Sequence, residues 1–474
     1  MQRLTPLRVA WDAWRTQCQG PIAVAARQKA RLLSLITYAR HYSRFYAERY
    51  RDAPMQTTDL QLLPPVTKPE LMDRFDEWAT DPAITRAGVD AFVADAQRVG
   101  DDFLGRYLVF TTSGSTGVPA ILVQDQRAVA VMSGIAFARG VALLSLGVLW
   151  RTLRGGGRQA AIFATGGHYL AATMLERRLR TKPSRRTNAR LFSALMPLPE
   201  LVRELNAFQP VILASYPSVL DLLADEQLAG RLHLAPAVLT AAGETLTSAV
   251  RARIERAFDC RVVDVYGASE AAPLALPCRR GRLHTNADWF VLEPVDAQKR
   301  PVAPGEWSHS ALLTNLANYV QPIIRYELGD RIMVAADPCH CGSPLPTITV
   351  EGRTDDVLAF ITPIGQTVRV LPAAIASVAE EVSGAQRLQL VQTGPAELEV
   401  RLQAERGNED AVFTGVRARL MAFLAQQGLP DVAVRLASEP PAADPRSGKF
   451  RQVWVDKRAL AEFSQISSTP SSER

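Results

Sequence analysis

Cysteine and histidine are scarce in this 474-residue sequence, with five of the first and six of the second. The cysteines (Cys18, Cys260, Cys278, Cys339 and Cys341) are too few and too scattered for a disulfide scaffold. A strong excess of one charge is lacking too. Lysine and arginine number 54 against 48 aspartates and glutamates, a net +6. Over this length that excess permits an anionic ligand and gives no argument for nucleic acid, so no nucleic-acid partner is expected. The first residues, MQRLTPLRVAWDAW, contain no apolar stretch ending in a small-residue cleavage site. No secretory signal is read there, and a reducing cytoplasm is the expected location.

Long apolar runs are nearly absent. One run, residues 131–150 (VMSGIAFARGVALLSLGVLW), has the length of a membrane span. Arg139 in its middle opposes that reading. A buried helix of an α/β core is expected instead, with a peripheral membrane contact as the alternative, and no transmembrane segment.

What is present is a globular composition, 47% hydrophobic and 22% charged, in a chain too long for one ordinary domain. Residues 1–60 read as helical. From about residue 107, short apolar runs (YLVFTT, AILVQ, AIFAT, PVILAS, AVLTA, RVVDVYG) alternate with helix-length segments. That alternation predicts a mostly parallel sheet flanked by helices, with ligands at the loops of its crest. Residues 282–350 read as shorter antiparallel strands. Beyond GRTDD the pattern is helix, strand (LQLVQT), strand (LEVRLQ), long helix (410–427) and strand (VAVRLA). The expected fold is α/β: a large N-terminal domain (1–352) with layered sheets and flanking helices, a small mobile α+β C-terminal lid domain (353–464), and a disordered tail (465–474).

Five local patterns carry chemistry. Residues 111–119, TTSGSTGVP, lie between two strand-like runs. Their glycines let backbone N–H groups converge, and their hydroxyls add donors, which suits a polyphosphate. The flanks predict strand–turn–strand, and the Walker ending is missing. In YGASE (266–270) a strand ends at an aromatic ring, a hydroxyl and a carboxylate, groups that suit a base, a phosphate and Mg²⁺. In RYELGD (325–330) the aspartate suits a ribose diol and equally suits a turn cap. GRTDD (352–356) stands where a hinge would sit, and PRSGKFR (445–451) places one lysine on a glycine-bearing loop.

In their order and spacing, these patterns resemble the AMP-forming adenylating enzymes over residues 40–460. The early YARHYSRFYAERY and the later FQPVILASYPSVL are similar to the phenylacetate–CoA ligase branch and its capsule-polysaccharide relatives. Ala120 stands where many relatives carry a lysine, a departure that this branch shares.

The resemblance implies roles. Ser113, Gly114, Ser115, Thr116 and Gly117 match the loop over the ATP phosphates. Gly243 and Glu244 match the strand beside adenine. Tyr266 matches the ring stacked on adenine, Ser269 the hydroxyl near the α-phosphate, and Glu270 the Mg²⁺ carboxylate. Asp330 matches the ribose-binding aspartate, Arg353 a nucleotide-contacting arginine, Asp355 the hinge and Lys449 the catalytic lysine. The implied activity joins a small-molecule carboxylic acid to AMP at the expense of ATP, then transfers the acyl group to a thiol. CoA is the expected thiol. An acyl carrier protein is the second choice, and a non-catalytic nucleotide-binding relative is the alternative from another class.

Cys339 and Cys341, with Cys278 and His284 upstream, supply three thiolates and an imidazole, a set that suits tetrahedral Zn²⁺. Some members of the branch carry such a zinc. His340 is then a spare, solvent-facing donor, and Cys18 and Cys260 are structural. The acid pocket is expected beside His168, Tyr216 and Ala241. The basic run at 177–190 is expected to be a solvated face, with the phosphates of CoA as the alternative.

Overall fold

The computed structural model describes residues 4–456, apart from 113–119, 142, 144, 354–357, 371–374, 377, 380, 381, 383, 405–407 and 443–449. The described chain divides into two compact units, the first reaching Val350 and the second beginning at Glu351.

The first unit opens with helices Pro6–Cys18 and Pro21–Tyr42. Proline stands in the first turn of each, where its missing N–H costs nothing. The Thr5 hydroxyl accepts from the Arg8 amide and caps the first of them. A strand hairpin follows, β1 (Leu108–Thr111) and β2 (Ile121–Gln124), antiparallel as the two apolar runs predict.

The main sheet then takes β3 (Gln159–Phe163), β4 (Ala189–Ser193), β5 (Ile212–Ser215), β6 (Val238–Ala242) and β7 (Val262–Ala268). These five pair in parallel in the order β4-β3-β5-β6-β7. Helices cross between them, including Leu198–Phe208, Pro217–Leu228 and Ser248–Phe258. Next to β7 the sheet changes sense. β8 (Ala271–Pro277) pairs with β7 antiparallel, and β9 (Leu283–Thr285) continues the antiparallel side. β10 (Phe290–Val295), β11 (Ser310–Asn315) and β12 (Ile323–Glu327) form a separate antiparallel sheet. β13 (Asp330–Val334) and β14 (Thr347–Arg353) complete the main sheet, whose order is β13-β14-β9-β8-β7-β6-β5-β3-β4. The strand expectations hold apart from two strands not expected, β4 and β8. β4 is a five-residue strand directly after the basic 3-10 turn Pro183–Thr187, which hid its apolar alternation.

Two apolar cores hold this unit. One includes Leu205, Leu213, Leu220 and Leu239 between the parallel strands and their helices. The other joins the N-terminal helices to β1, β2 and β12. In it the buried Trp78 indole N–H and the Tyr46 hydroxyl both donate to the Pro322 carbonyl, at 2.6 and 3.0 Å.

The run at 131–150 is not one buried helix. Helix Gln126–Val141 is buried along one side and carries the buried Arg139. It crosses the Pro6–Cys18 helix so closely that a Cβ on Gly134 would lie 2.6 Å from Val9 Cβ. A second helix, Leu146–Arg154, has no buried residue. The Ser145 hydroxyl accepts from the Val148 amide at 3.2 Å and starts that helix afresh, which is why the run breaks. Among the described residues no single helix is long and apolar enough to cross a membrane.

Arg139 has a structural reason. It donates to Asp288 Oδ1 at 2.7 Å and to the Asn286 side chain. Asn286 in turn donates to the Pro273 carbonyl at 2.6 Å. Arg31 joins this network, donating to the Asp288 carbonyl at 2.6 Å with its guanidinium 3.4 Å from the Trp289 ring centre.

The second unit has its own apolar core. β15 (Leu358–Ile361) and β16 (Thr367–Val370) form a hairpin. β17 (Ala385–Gly394) and β18 (Glu397–Ala404) pair antiparallel, flanked in parallel by β20 (Val453–Val455) and β19 (Ala433–Leu436). Helix Glu409–Gln426 buries Val412, Val416, Leu420 and Leu424 at i+4 spacing. The two central strands, the long helix and the strand after it follow the expected α+β pattern; the hairpin β15–β16 was not expected, and the helix expected from about residue 371 lies mostly outside the described residues.

Candidate active site

The strand β7 is the pivot of the site, because the sheet is parallel on one side of it and antiparallel on the other. Side chains from four segments meet near its end. The Tyr266 hydroxyl donates to Asp330 Oδ2 at 2.7 Å, tethering the outer end of the ring. The Tyr326 hydroxyl donates to Glu270 Oε1 at 2.8 Å. Asn315 Nδ2 donates to the Glu270 carbonyl at 2.8 Å. Glu270 is buried and held at both its main chain and its carboxylate. Asp330, distant in sequence, thus lies in one neighbourhood with Tyr266, Ser269 and Glu270.

The β1–β2 hairpin is tied to the same place. Gln124 Nε2 donates to the Ser269 carbonyl at 3.3 Å, and the Val123 amide donates to Gln321 Oε1 at 2.6 Å. The Thr112 amide donates to the Ala120 carbonyl at 3.0 Å and closes the base of the loop. Ser113, Gly114, Ser115, Thr116 and Gly117 lie outside the described residues, as do Asp355 and Lys449. Arg353 ends β14, and its side chain lies outside them as well.

Gly243 follows β6 with φ +86°, a conformation that favours glycine. The Glu244 carboxylate accepts from the Ser218 amide at 3.0 Å and from its hydroxyl at 3.1 Å. It therefore caps the Pro217–Leu228 helix, where a negative charge is stabilised. This fixes the loop after β6 beside the end of β7.

Three pocket residues read differently in place. His168 is 1% exposed, its ring packed 5.1 Å from Phe92 and its Nε2 3.4 Å from the Asp95 carbonyl. Burial holds its pKa below the ordinary histidine value. Tyr216 is buried edge-on against Phe163, and its hydroxyl accepts from the Ala164 amide. Burial pushes its pKa up to about 12, so it stays a neutral phenol. Ala241 is fully buried on the Leu239 side of β6, in the helix-packed core. Tyr216 and Ala241 pack in the core between the parallel strands and their helices, and His168 packs against Phe92 of the other core. On β6, strand alternation turns Ala241 into the helix-packed core and Thr240 and Ala242 the other way.

Sequence reasoning passed over Tyr326, Asn315, Gln124 and Gln321. Tyr326 alone had a signal, its place in the RYELGD pattern. The amides bind main-chain groups from remote segments and leave no local mark.

A second cluster lies at the edge of the first unit. Cys278 follows β8, His284 sits on β9, and Cys339 and Cys341 lie in the turn between β13 and β14. One ligand atom from each falls within 4.8 Å of the others. Cys278 Sγ and Cys339 Sγ are 3.9 Å apart, and Cys341 Sγ is 3.3 Å from His284 Nε2. Two thiolates, each 2.3 Å from a tetrahedral zinc, would be about 3.8 Å apart. His284 Nδ1 is 2.8 Å from the Leu345 carbonyl, which turns Nε2 toward the thiols. The Arg280 and Ser343 amides each donate to a sulfur at 3.4 Å. The residues fit a metal ion. His340 is exposed, as expected of a spare donor.

The geometry has counterparts among known proteins. The chain is similar to 2-hydroxyisobutyryl-CoA ligase in its postadenylation state with 2-HIB-AMP, at a TM-score of 0.63 and 20% identity. That match covers 96% of this chain and 94% of the other. Its fold is that of the adenylate-forming CoA ligases. The same ligase with 2-HIB-AMP and CoA in its thioesterification state matches at a TM-score of 0.52 and 20% identity, over 96% and 94% of the two chains. Fatty acyl-adenylate ligases from E. coli and L. pneumophila match at 0.50 and 14% identity, over 77% and 70%. Protein CapK of Staphylococcus aureus is 29% identical over 133 residues, a stretch that spans 28% of this chain and 28% of that protein's length. No family model matches the chain.

Proposed function

We propose that the protein activates a carboxylic acid, aryl or acyl, with ATP and transfers it to the thiol of CoA. The observation that carries this reading is the junction at the end of β7. There the Tyr266–Asp330 bond and Glu270 come together, with Gln124 of the hairpin that carries the 113–117 loop bonded to the Ser269 carbonyl, in a fold shared with CoA ligases.

In the first step a carboxylate oxygen attacks the α-phosphorus, the bond to the β-phosphate oxygen breaks, and pyrophosphate leaves. In the second a thiol sulfur attacks the acyl carbon, AMP leaves, and the thiol proton passes to solvent. The protein's contribution is position and charge. Tyr266, its hydroxyl tethered to Asp330, offers a flat face to adenine, beside the loop of Gly243 and Glu244. Asp330 receives the ribose hydroxyls, and Arg353 reaches the nucleotide. Ser113, Gly114, Ser115, Thr116 and Gly117 donate to the β- and γ-phosphates. Ser269 lies at the α-phosphate. Glu270, held by Tyr326, would hold a Mg²⁺ ion, which would supply positive charge against the phosphates. Lys449 steadies the charge that develops in the first step, and Asp355 is the hinge that withdraws it before the second.

The deciding experiment is carboxylate-dependent exchange of labelled pyrophosphate into ATP, over a panel of aryl and fatty acids. Exchange above background with at least one acid is expected, followed by a thioester when CoA is added. ATP binding without exchange for any acid would move the chain to a nucleotide-binding role. A thioester formed only on a phosphopantetheine carrier protein would replace CoA as acceptor.

We also infer that Cys278, His284, Cys339 and Cys341 hold a structural zinc. Purified protein is expected to carry about one zinc per chain. Cys341→Ser should lower metal content on the order of tenfold and lower the thermal midpoint. Metal analysis that finds no zinc in the native protein sinks this assignment.

A further inference from the structure

The helix Leu146–Arg154 has no place in the proposed chemistry. Its apolar residues are turned outward. Leu146, Leu149, Trp150 and Leu153 recur at i, i+3, i+4 and i+7, and are 87%, 46%, 59% and 70% exposed. That spacing puts them on one face of a helix. A core would bury such a stripe, and here it faces outward.

The helix and the turn after it carry charge of one sign. No aspartate or glutamate occurs from residue 126 to 175, and arginines stand at 151, 154 and 158 on and just after the helix. The Arg154 guanidinium lies 5.0 Å from the Trp150 ring centre. The 3-10 turn Pro183–Thr187 adds Arg185 near the Asn188 carbonyl, which accepts from the Gln159 amide at 2.7 Å, while Arg186 of the same turn pairs with Glu176 at 3.5 Å.

Position within the sheet supports a docking role. Arg151 Nη2 donates to the Pro236 carbonyl before β6, and the Arg158 carbonyl accepts from the Val211 amide before β5. The helix and its arginines therefore lie at the start of the parallel strands. The Tyr266–Glu270 segment lies at the finish of β7. A large surface docked at the helix would leave the site end open.

We propose that the Leu146–Arg154 helix seats the protein on an anionic lipid surface, lying flat in the headgroup region. Leucines and a tryptophan on the buried side, with arginines around them, are what an interfacial helix needs. The positive surroundings complement anionic headgroups. A second copy of the chain would set arginines against arginines, which disfavours self-association through this face.

Flotation with vesicles of equal parts phosphatidylcholine and phosphatidylglycerol tests the proposal. The full-length protein should float with these vesicles, float far less with pure phosphatidylcholine, and be released by high salt. The double variant Leu149→Gln/Leu153→Gln should lower binding at least about tenfold, with an unchanged circular dichroism spectrum. Arg154→Glu should weaken it too, by placing an acid on the docking face. Failure of the native protein to float overturns the proposal, as does equal flotation of the double variant. Concentration-dependent association without lipid, abolished by the double variant in sedimentation velocity, would assign the face to a second copy instead.

Discussion

Lys449→Ala is expected to lower acid-dependent pyrophosphate exchange by about 10²–10³-fold, the usual cost of removing one donor aimed at developing charge. The carboxylate that attacks and the phosphate it attacks are both anionic. A cation at the reacting oxygens lowers that barrier only in the first half-reaction. Thioester formation from supplied acyl-adenylate and CoA should therefore persist near the native rate. The split between the two half-reactions is the informative readout. Equal losses in both would mean that the lysine supports folding or nucleotide binding, and the assignment to the first step would fall.

Arg139→Ala is expected to destabilise the first unit by about 3–5 kcal/mol, because it leaves the Asp288 carboxylate buried without its main partner. The side chains of this pair are 8% and 0% exposed. Solvent therefore has little access to the orphaned charge. Asn286 loses a donor in the same stroke, although its own bond to Pro273 remains. The double variant Arg139→Met/Asp288→Asn removes both charges and should recover most of the loss. Thermal melts of the three proteins measure this. An Arg139→Ala midpoint equal to the native one would show that Arg31, which also reaches Asp288, suffices alone.

How much of this was legible depends on the range of the interaction. The β1–β2 hairpin and the strands β5, β6 and β7 follow from short apolar runs bounded by turn residues, a local signal. The quartet of Cys278, His284, Cys339 and Cys341 was legible because metal-binding side chains are few here and their chemistry is narrow. The run at 131–150 was misread because apolar content alone does not say which half is buried. The Ser145 cap and the outward turn of Leu146 and Leu153 decide it. Ala241 lies on the helix-packed side of β6, and His168 and Tyr216 are buried in the loops that follow β3 and β5. A strand's face is set by its register in the sheet, and one sequence does not display that register. The bonds from Tyr326 to Glu270 and from Gln124 to Ser269 were beyond reach, because each joins residues far apart in the chain by a single polar contact.

The reversal of strand sense at β7 has a consequence for how the chain tolerates division. A fragment ending before β9 would keep every parallel strand and the whole YGASE turn. It would lack Asn315, Tyr326 and Asp330, the partners that fix Glu270 and Tyr266 from the antiparallel side. Neither half of the sheet owns the site. Splitting or circularly permuting the gene between β7 and β13 would separate groups that work only when assembled. Breaks in the exposed turn around Gly156 would leave all of them on one continuous stretch.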